Sequence, residues 1–177
     1  MEANKSTLAD LRAKVLEYFS AWSNRNSVVS YTTGTGLREQ LTTKDFAPKV
    51  EIVLFRTAFA AWVKEHEHLK DFKLKMTEEL GQAECFLPGI PLRVAVKRFD
   101  KLIEDCFCRD FTVNALYFSL KGNRTTDLCS GLQDLRAKVV RPVVTFETTF
   151  FDAPERFFSL AELILKGYSM DSELSME

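Results

Sequence analysis

Leu8, Leu11, Val15, Leu16, Phe19 and Trp22 recur every three or four residues, so a helix over residues 6–22 would carry one apolar side. Ser6 or Thr7 can cap its first turn, and the stretch from Asn24 to Asn26 breaks the pattern. The period then changes. Val28–Thr33 is a short β-rich run ending in Thr33-Gly34-Thr35-Gly36-Leu37-Arg38, and Val50–Phe55 is a second apolar strand. Ala58–Leu69 reads as helix; His66 and His68, two apart, do not share a helical face and are expected as solvated surface residues. Lys70–Lys75 is a charge run on a solvated face. From Lys73 to Phe99 strands are broken by Pro88-Gly89 and Pro91, and Leu92–Lys97 alternates as a half-buried strand should. Lys101–Cys106 predicts a helix, Thr112–Leu120 a strand, and Gly131–Lys138 and Pro154–Lys166 helical turns, the last with Pro154 in its first turn. This alternation predicts an α+β fold, a mixed β-sheet packed with helices rather than a bundle.

Composition narrows the picture. A chain of 177 residues is long enough for one domain with a proper core. Its 46% hydrophobic and 28% charged residues exclude a disordered or low-complexity protein, and fifteen Phe predict aromatic packing. A net charge of −1 lacks the basic excess of proteins that grip nucleic acid through phosphates, so any RNA contact is local or shared with a partner. Cys85, Cys106, Cys108 and Cys129 form no CxxC pair and have only two histidines to join them, which argues against zinc and for buried thiols. Cys106-x-Cys108 is accordingly expected in the core. A run of eighteen apolar residues, the mark of a membrane helix, does not occur. The start, Met-Glu-Ala-Asn-Lys, lacks the shape of a signal peptide.

Four patterns follow one another after residue 103: Glu-Asp-Cys-Phe-Cys-Arg-Asp-Phe-Thr-Val-Asn-Ala-Leu (104–116), Asp-Leu-Cys-Ser-Gly-Leu-Gln-Asp-Leu (127–135), Val-Val-Arg-Pro-Val (139–143) and Asp-Ala-Pro-Glu-Arg (152–156). In order and spacing this series resembles the head domain of the tRNA CCA-adding enzyme and bacterial-type poly(A) polymerase family, the class II nucleotidyltransferases. The family's text is Arg-Arg-Asp-Phe-Thr-Ile-Asn-Ala, Asp-x-x-x-Gly-x-x-Asp-Leu, Ile-Arg and Glu-Asp-x-x-Arg. The resemblance implies a polymerase-beta-like nucleotidyltransferase head over residues 27–167, after an N-terminal helix in 1–26 and before a disordered tail in 168–177. It also implies a chemistry, metal-dependent transfer of a nucleotide to an RNA 3′ end.

The parts of that chemistry can be checked against the residues. A glycine turn holding triphosphate would be Gly34, Gly36 and Arg38, where backbone N–H groups close on phosphate and Arg supplies charge. The same residues also suit a plain strand-to-helix turn. Two carboxylates at i and i+2 on one strand would hold Mg²⁺ ions. Aligned from Gly34, those positions are Lys49 and Glu51; sliding the register recovers Asp45 but puts Ala47 at the other place. Neither register yields a pair, so the catalytic positions are degenerate and no metal ligands or cofactors are assigned. Arg109, Asp110 and Asn114 either line a nucleotide pocket, as the resemblance implies, or close a helix-to-strand junction. The base-reading Asp is Ala153, leaving Arg156, and the following cations are replaced by Ser159, Glu162 and Leu163. Vestigial nucleotide contacts are therefore Gly34, Gly36, Arg38, Arg109, Asp110, Asn114 and Arg156.

The expectation is a catalytically inactive head that acts as a structural or RNA-contacting subunit of a larger protein complex. An organellar ribonucleoprotein, mitochondrial or otherwise, such as a ribosome-assembly particle, is the setting by analogy, and an intracellular one otherwise. The alternative is an RNA 3′-end nucleotidyltransferase that uses Mg²⁺ and a nucleoside triphosphate with residues supplied by a partner. A nucleotide sensor without turnover is a third class.

Overall fold

Helix α1 spans Leu8–Arg25 and opens on a reciprocal cap: the Thr7 hydroxyl accepts from the Asp10 N–H at 3.2 Å, and the Asp10 carboxylate accepts from the Thr7 N–H at 3.0 Å. The computed structural model describes residues 7–42, 49–77 and 81–171. The helix runs past the expected break at Asn24. Asn26 stops it, returning its side-chain amide to the Trp22 carbonyl at 3.0 Å. β1 (Ser30–Thr33) passes directly into α2 (Gly34–Thr42), β2 is Lys49–Phe55 and α3 is Arg56–His66. The edge of the sheet follows as β3 (Lys75–Thr77) and β4 (Gln82–Phe86), then β5 (Arg93–Phe99) and α4 (Leu102–Phe107). The remainder is β6 (Leu116–Ser119), β7 (Arg124–Asp127), α5 (Gly131–Ala137), β8 (Val139–Val140), α6 (Phe146–Asp152), α7 (Arg156–Leu165) and β9 (Ser169–Met170).

Among the described residues seven strands form one sheet in the order β3-β4-β5-β2-β1-β6-β7. β2 and β5 run parallel and the other neighbours antiparallel. The mixed sheet is as expected. Period-two alternation divides β2: Val50, Ile52 and Leu54 enter a core with Val94 and Val96 of β5, closed by Val15, Phe19 and Trp22 of α1 and by Phe59 and Trp62 of α3. Each such side chain taken out of water contributes about 1.5–3 kcal/mol. The opposite face carries Lys49, Glu51 and Val53. There the register sets Glu51 beside Thr33 and Ala95, and Lys97 beside Val53 and Gln82. Part of this face is apolar: Val53, Phe99, Ala115 and Tyr117 pack with Cys106 of α4. Leu37, Phe111, Leu116, Leu135, Phe150 and Leu163 form a third cluster, whose Leu116 projects from β6 on the side of Thr32 and Ile52.

Several elements depart from expectation. His66 is buried, not solvated: it continues the α3 stripe Phe59, Trp62, His66, stacks on Trp62 at 5.0 Å, meets the Tyr18 hydroxyl, and sets Nδ1 2.6 Å from the Trp62 carbonyl. Only His68 is exposed. The strand expected from Thr112 starts at Leu116, because Thr112–Asn114 is a 3-10 turn whose side chains bond Asp134 and Asp110. The helix expected from Pro154 starts at Arg156, and α6 precedes it, capped by the Thr145 hydroxyl accepting from the Thr148 N–H. The tail expected from residue 168 is ordered in its first residues: Tyr168 is buried and β9 pairs with β8 in parallel. Residues 172–177 lie outside the described residues.

The second half is fastened at one turn. Asp127 accepts from the N–H groups of Gly131 and Leu132, both at 2.9 Å, and so caps α5 from outside. Gly131 is fixed by space: a Cβ there would stand 2.2 Å from the Thr112 carbonyl oxygen, a backbone atom that cannot swing away. Gly131→Ala should destabilise the fold by about 1–3 kcal/mol, read as a lower urea midpoint at unchanged m-value.

Candidate functional site

Glu51 sits near the start of β2, on the face that α1 and α3 leave open. Its Oε2 is 2.8 Å from Arg109 Nη1 and 3.6 Å from Lys97 Nζ. Arg109, from the turn after α4, directs Nε and Nη2 to Asp105 Oδ2 at 3.0 and 2.8 Å, and the Tyr117 hydroxyl donates to the same oxygen at 2.6 Å. One guanidinium therefore bridges two acids. Lys49 turns instead toward Glu84 of β4, Nζ to Oε1 3.9 Å, and Glu84 also faces Arg93 at 3.8 Å. Gly34 opens α2 at φ +73° and makes room for the carboxylate, since a Cβ there would stand 2.9 Å from Glu51 Oε2.

These contacts determine charge. Burial alone would raise the Glu51 carboxyl, but Lys97 and Arg109, with Lys49 behind them, hold it down at about 2. Burial lowers Lys97, helped by Arg109 and Lys49 and opposed by Glu51. Burial also opposes the charge of Arg109, yet Asp105 and Glu51 outweigh it and raise the guanidinium further. The Tyr117 hydroxyl is raised by burial and by Asp105 against the pull of Arg109, so it stays a donor.

A polar cavity of about 270 Å³ opens over Glu51. Of the positions expected to touch nucleotide, Gly34, Arg109, Asp110, Asn114 and Arg156 line it and Gly36 and Arg38 do not; of the two degenerate catalytic positions, Glu51 lines it and Lys49 does not. Gly36 packs on the buried Arg12 guanidinium. Arg38 is buried and donates to Asn114 Oδ1 at 2.8 Å and Glu162 at 3.1 Å, so its charge serves packing of α2 on α7 rather than a ligand. Asp110 accepts from the Phe111 N–H at 2.7 Å and the Asn114 amide at 3.0 Å, closing the helix-to-strand junction. Arg156 donates to the Thr149 and Cys108 carbonyls at 3.2 and 2.8 Å, and among the described residues no carboxylate pairs with it. Sequence reasoning missed Thr35 and Lys97. Lys97 had a signal in the alternation of Leu92–Lys97, but the β2–β5 pairing that sets it beside Glu51 is not local. Cys106 is buried, with its Sγ 2.9 Å from that of Cys129, whereas Cys108 is exposed and not in the core. A larger depression of about 700 Å³, lined by Lys70, Lys73 and the Pro88–Pro91 loop, gathers no comparable cluster.

The residues do not fit Mg²⁺. That ion surrenders its water shell only to negative ligands, and here the single carboxylate on the cavity wall near β2 already faces Arg109 and Lys97, with an ammonium two residues before it. Among the described residues no three His, Cys, Asp or Glu side chains gather as a metal site. Asp45 and Ala47 lie outside the described residues.

A mixed sheet with α1 and α3 on one face and this cavity beside α4 on the other is a polymerase-beta-like nucleotidyltransferase head fold. The chain belongs to the Poly A polymerase head domain family, which matches residues 24–141. It is 28% identical over 132 residues to poly(A) polymerase I of Escherichia coli, covering 74% of this chain and 25% of that protein. It is 39% identical over 59 residues to the tRNA nucleotidyltransferase cca1 of Schizosaccharomyces pombe, covering 33% of this chain and 12% of that one. The chain thus spans a quarter or less of these curated relatives. In fold it is similar to the Thermotoga maritima CCA-adding enzyme complexed with tRNA, at a TM-score of 0.77 and 20% identity over 92% of this chain and 40% of that one. A CCA-adding enzyme in complex with CTP gives 0.75 at 20% identity, over 92% of this chain and 39% of the other.

The Glu51 carboxyl ionises at about 2 in the folded chain against 4.5 ordinarily. Its stabilisation is therefore complete above pH 4.5 and withdrawn as pH falls toward 2. Urea unfolding between pH 6 and 3 should show a stability loss that is smaller in Glu51→Gln. Arg109→Met, which leaves Glu51 and Asp105 without their shared partner, should cost about 3–5 kcal/mol by the same measurement.

Proposed function

We propose that this chain is a nucleotidyltransferase head that does not carry out metal-dependent nucleotide transfer by itself and serves as a structural or RNA-contacting subunit of a larger assembly. The observation that carries this reading is the engagement of Glu51 by Arg109 and Lys97, with Lys49 two residues before it. Two-metal transfer needs convergent negative charge at that place, and here cations converge on one acid. Ala153 at the base-reading position points the same way, because Ala offers no hydrogen bond to a base edge.

An RNA partner is suggested by the tRNA in the complex of the Thermotoga relative. A protein partner is suggested by α7. Leu160 and Leu163 turn inward, while Phe157, Phe158, Ala161, Ile164 and Leu165 follow one another around an exposed arc of the same helix, with Phe158 81% and Leu165 88% exposed. Phe151 of α6, 87% exposed, adds to the exposed apolar surface of this region. Exposed apolar surface of that kind marks an interaction site. An organellar ribonucleoprotein, such as a ribosome-assembly particle, is the setting proposed. A second reading, transfer completed by acids from a partner, is favoured by the names of the curated relatives, poly(A) polymerase I and tRNA nucleotidyltransferase.

The purified chain with labelled ATP or CTP, an RNA acceptor and Mg²⁺ or Mn²⁺ should incorporate no label. Incorporation that disappears in Glu51→Ala would overturn the proposal, and incorporation only after a partner is added would establish the second reading. In its native setting the chain should sediment well above its own 20.3 kDa. Phe158→Asp with Leu165→Asp should release it to monomer mass without lowering its melting temperature.

A further inference from the structure

Two of the four thiols meet away from the cavity over Glu51. Cys106 of α4 is fully buried, and its Sγ stands 2.9 Å from that of Cys129. Both are free, and Cys129 is only partly covered. Each sulfur is held from its own side. Cys106 packs with Val53, Phe99, Ala115 and Tyr117, and Cys129 lies against the same cluster. The Cys129 N–H donates to Asp127 Oδ1 at 3.3 Å, within the turn by which Asp127 caps α5. A disulfide needs about 2.05 Å between its sulfurs, so a small approach joins the pair. A metal ion about 2.3 Å from each sulfur would instead drive them apart toward a tetrahedral angle. The other thiols stand elsewhere: Cys85 in the core on the α1 and α3 side of the sheet, Cys108 exposed.

We propose that Cys106 and Cys129 form a redox modification site, at which exchange with a small-molecule disulfide such as glutathione disulfide joins them and ties α4 to the turn before α5. The inference is independent of the inactive-head reading, because neither thiol lines the cavity over Glu51. Cys129 is the sulfur a reagent reaches first, since Cys106 is sealed. With Cys106 as donor, their contact raises the Cys106 thiol, burial adding to the effect, and lowers that of Cys129. The thiolate is the attacking form, so exposure and charge select the same residue. Cys129 Sγ attacks one sulfur of glutathione disulfide, breaking that S–S bond, forming a mixed disulfide and releasing the first glutathione thiolate. Cys106 Sγ then attacks Cys129 Sγ and expels the second. Two electrons pass from the protein to the oxidant, and the two thiol protons end on the released glutathiones. The new bond encloses residues 107–128, which carry Arg109, Asp110, Asn114 and Tyr117. It constrains the unfolded chain over that loop. In the folded chain it keeps α4, whose Asp105 holds Arg109, from parting from the turn before α5.

The purified, folded chain incubated with glutathione disulfide, quenched in acid, alkylated and mapped by peptide mass tests this. A linked peptide pair containing Cys106 and Cys129 is expected, lighter than the two free peptides by two hydrogens, while Cys85 stays alkylatable once unfolded. Thermal unfolding of the oxidised chain should shift upward by about 5–10 °C and return to its starting point with dithiothreitol. The chain with Cys108→Ser should behave as the parent does. Cys129→Ser, a change at a partly covered position, should melt near the reduced parent and show no shift with oxidant. Three results would overturn the proposal: a lasting glutathione adduct on Cys129 with Cys106 still free, a bridge that forms only in urea, or a bridge that leaves the melting temperature unchanged. None of these bears on label incorporation, which decides the inactive-head reading separately.

Discussion

Arg109 is the residue on which the open face of the sheet depends. Its guanidinium is buried between Glu51 of β2 and Asp105 of α4, with the Tyr117 ring 5.9 Å from its central carbon. Two acids in low dielectric would repel each other, and one cation between them would bear the cost of desolvation alone. Together they form a unit in which each carboxylate stabilises the cation and the cation prevents the acids from repelling. Because Asp105 is on a helix and Glu51 on a strand, the unit also fixes where α4 lies over the sheet.

That unit explains how the buried Glu51 carboxylate stays charged. In a two-metal site the positive charge would come with the ligand. In this chain Lys97 and Arg109 are covalently part of the wall, so the charge is balanced before any ligand arrives. Lys49 adds a third cation to the surroundings of Glu51. The polar positions that remain have taken on work for the fold: Arg38 and Asn114 hold α2 to the chain after α4, and Asp110 closes a turn.

The fold was legible wherever local pattern decides structure. Val50–Phe55 announces a strand as an apolar run, Leu92–Lys97 a strand by alternation, Val15, Phe19 and Trp22 a helix by spacing, and Gly131–Lys138 a helical turn. What was not legible depends on pairing across the chain. His66 looks solvated until its place on the Trp62 side of α3 and the approach of Tyr18 from α1 are known. Lys97 looks like the outward end of a half-buried strand until β5 is set parallel to β2, when it falls beside Glu51. Arg38 reads as a phosphate contact, yet Glu162, 124 residues on, claims it. Tyr168 reads as the start of a tail because its partners in the third apolar cluster come from remote segments.

The same contrast bears on function. A family pattern records which residue types stand at which places, and at Glu51 the type is compatible with a metal ligand. Only the distances to Arg109 and Lys97 show that its charge is already matched. A carboxylate whose lone pairs face an ammonium and a guanidinium must exchange them for any metal it takes up. Lys49→Asp would supply a second carboxylate but leave Lys97 and Arg109 in place, so that substitution brings two acids against two cations rather than a free pair. On the reading proposed above, the wall cations as well as Lys49 stand between this head and metal binding.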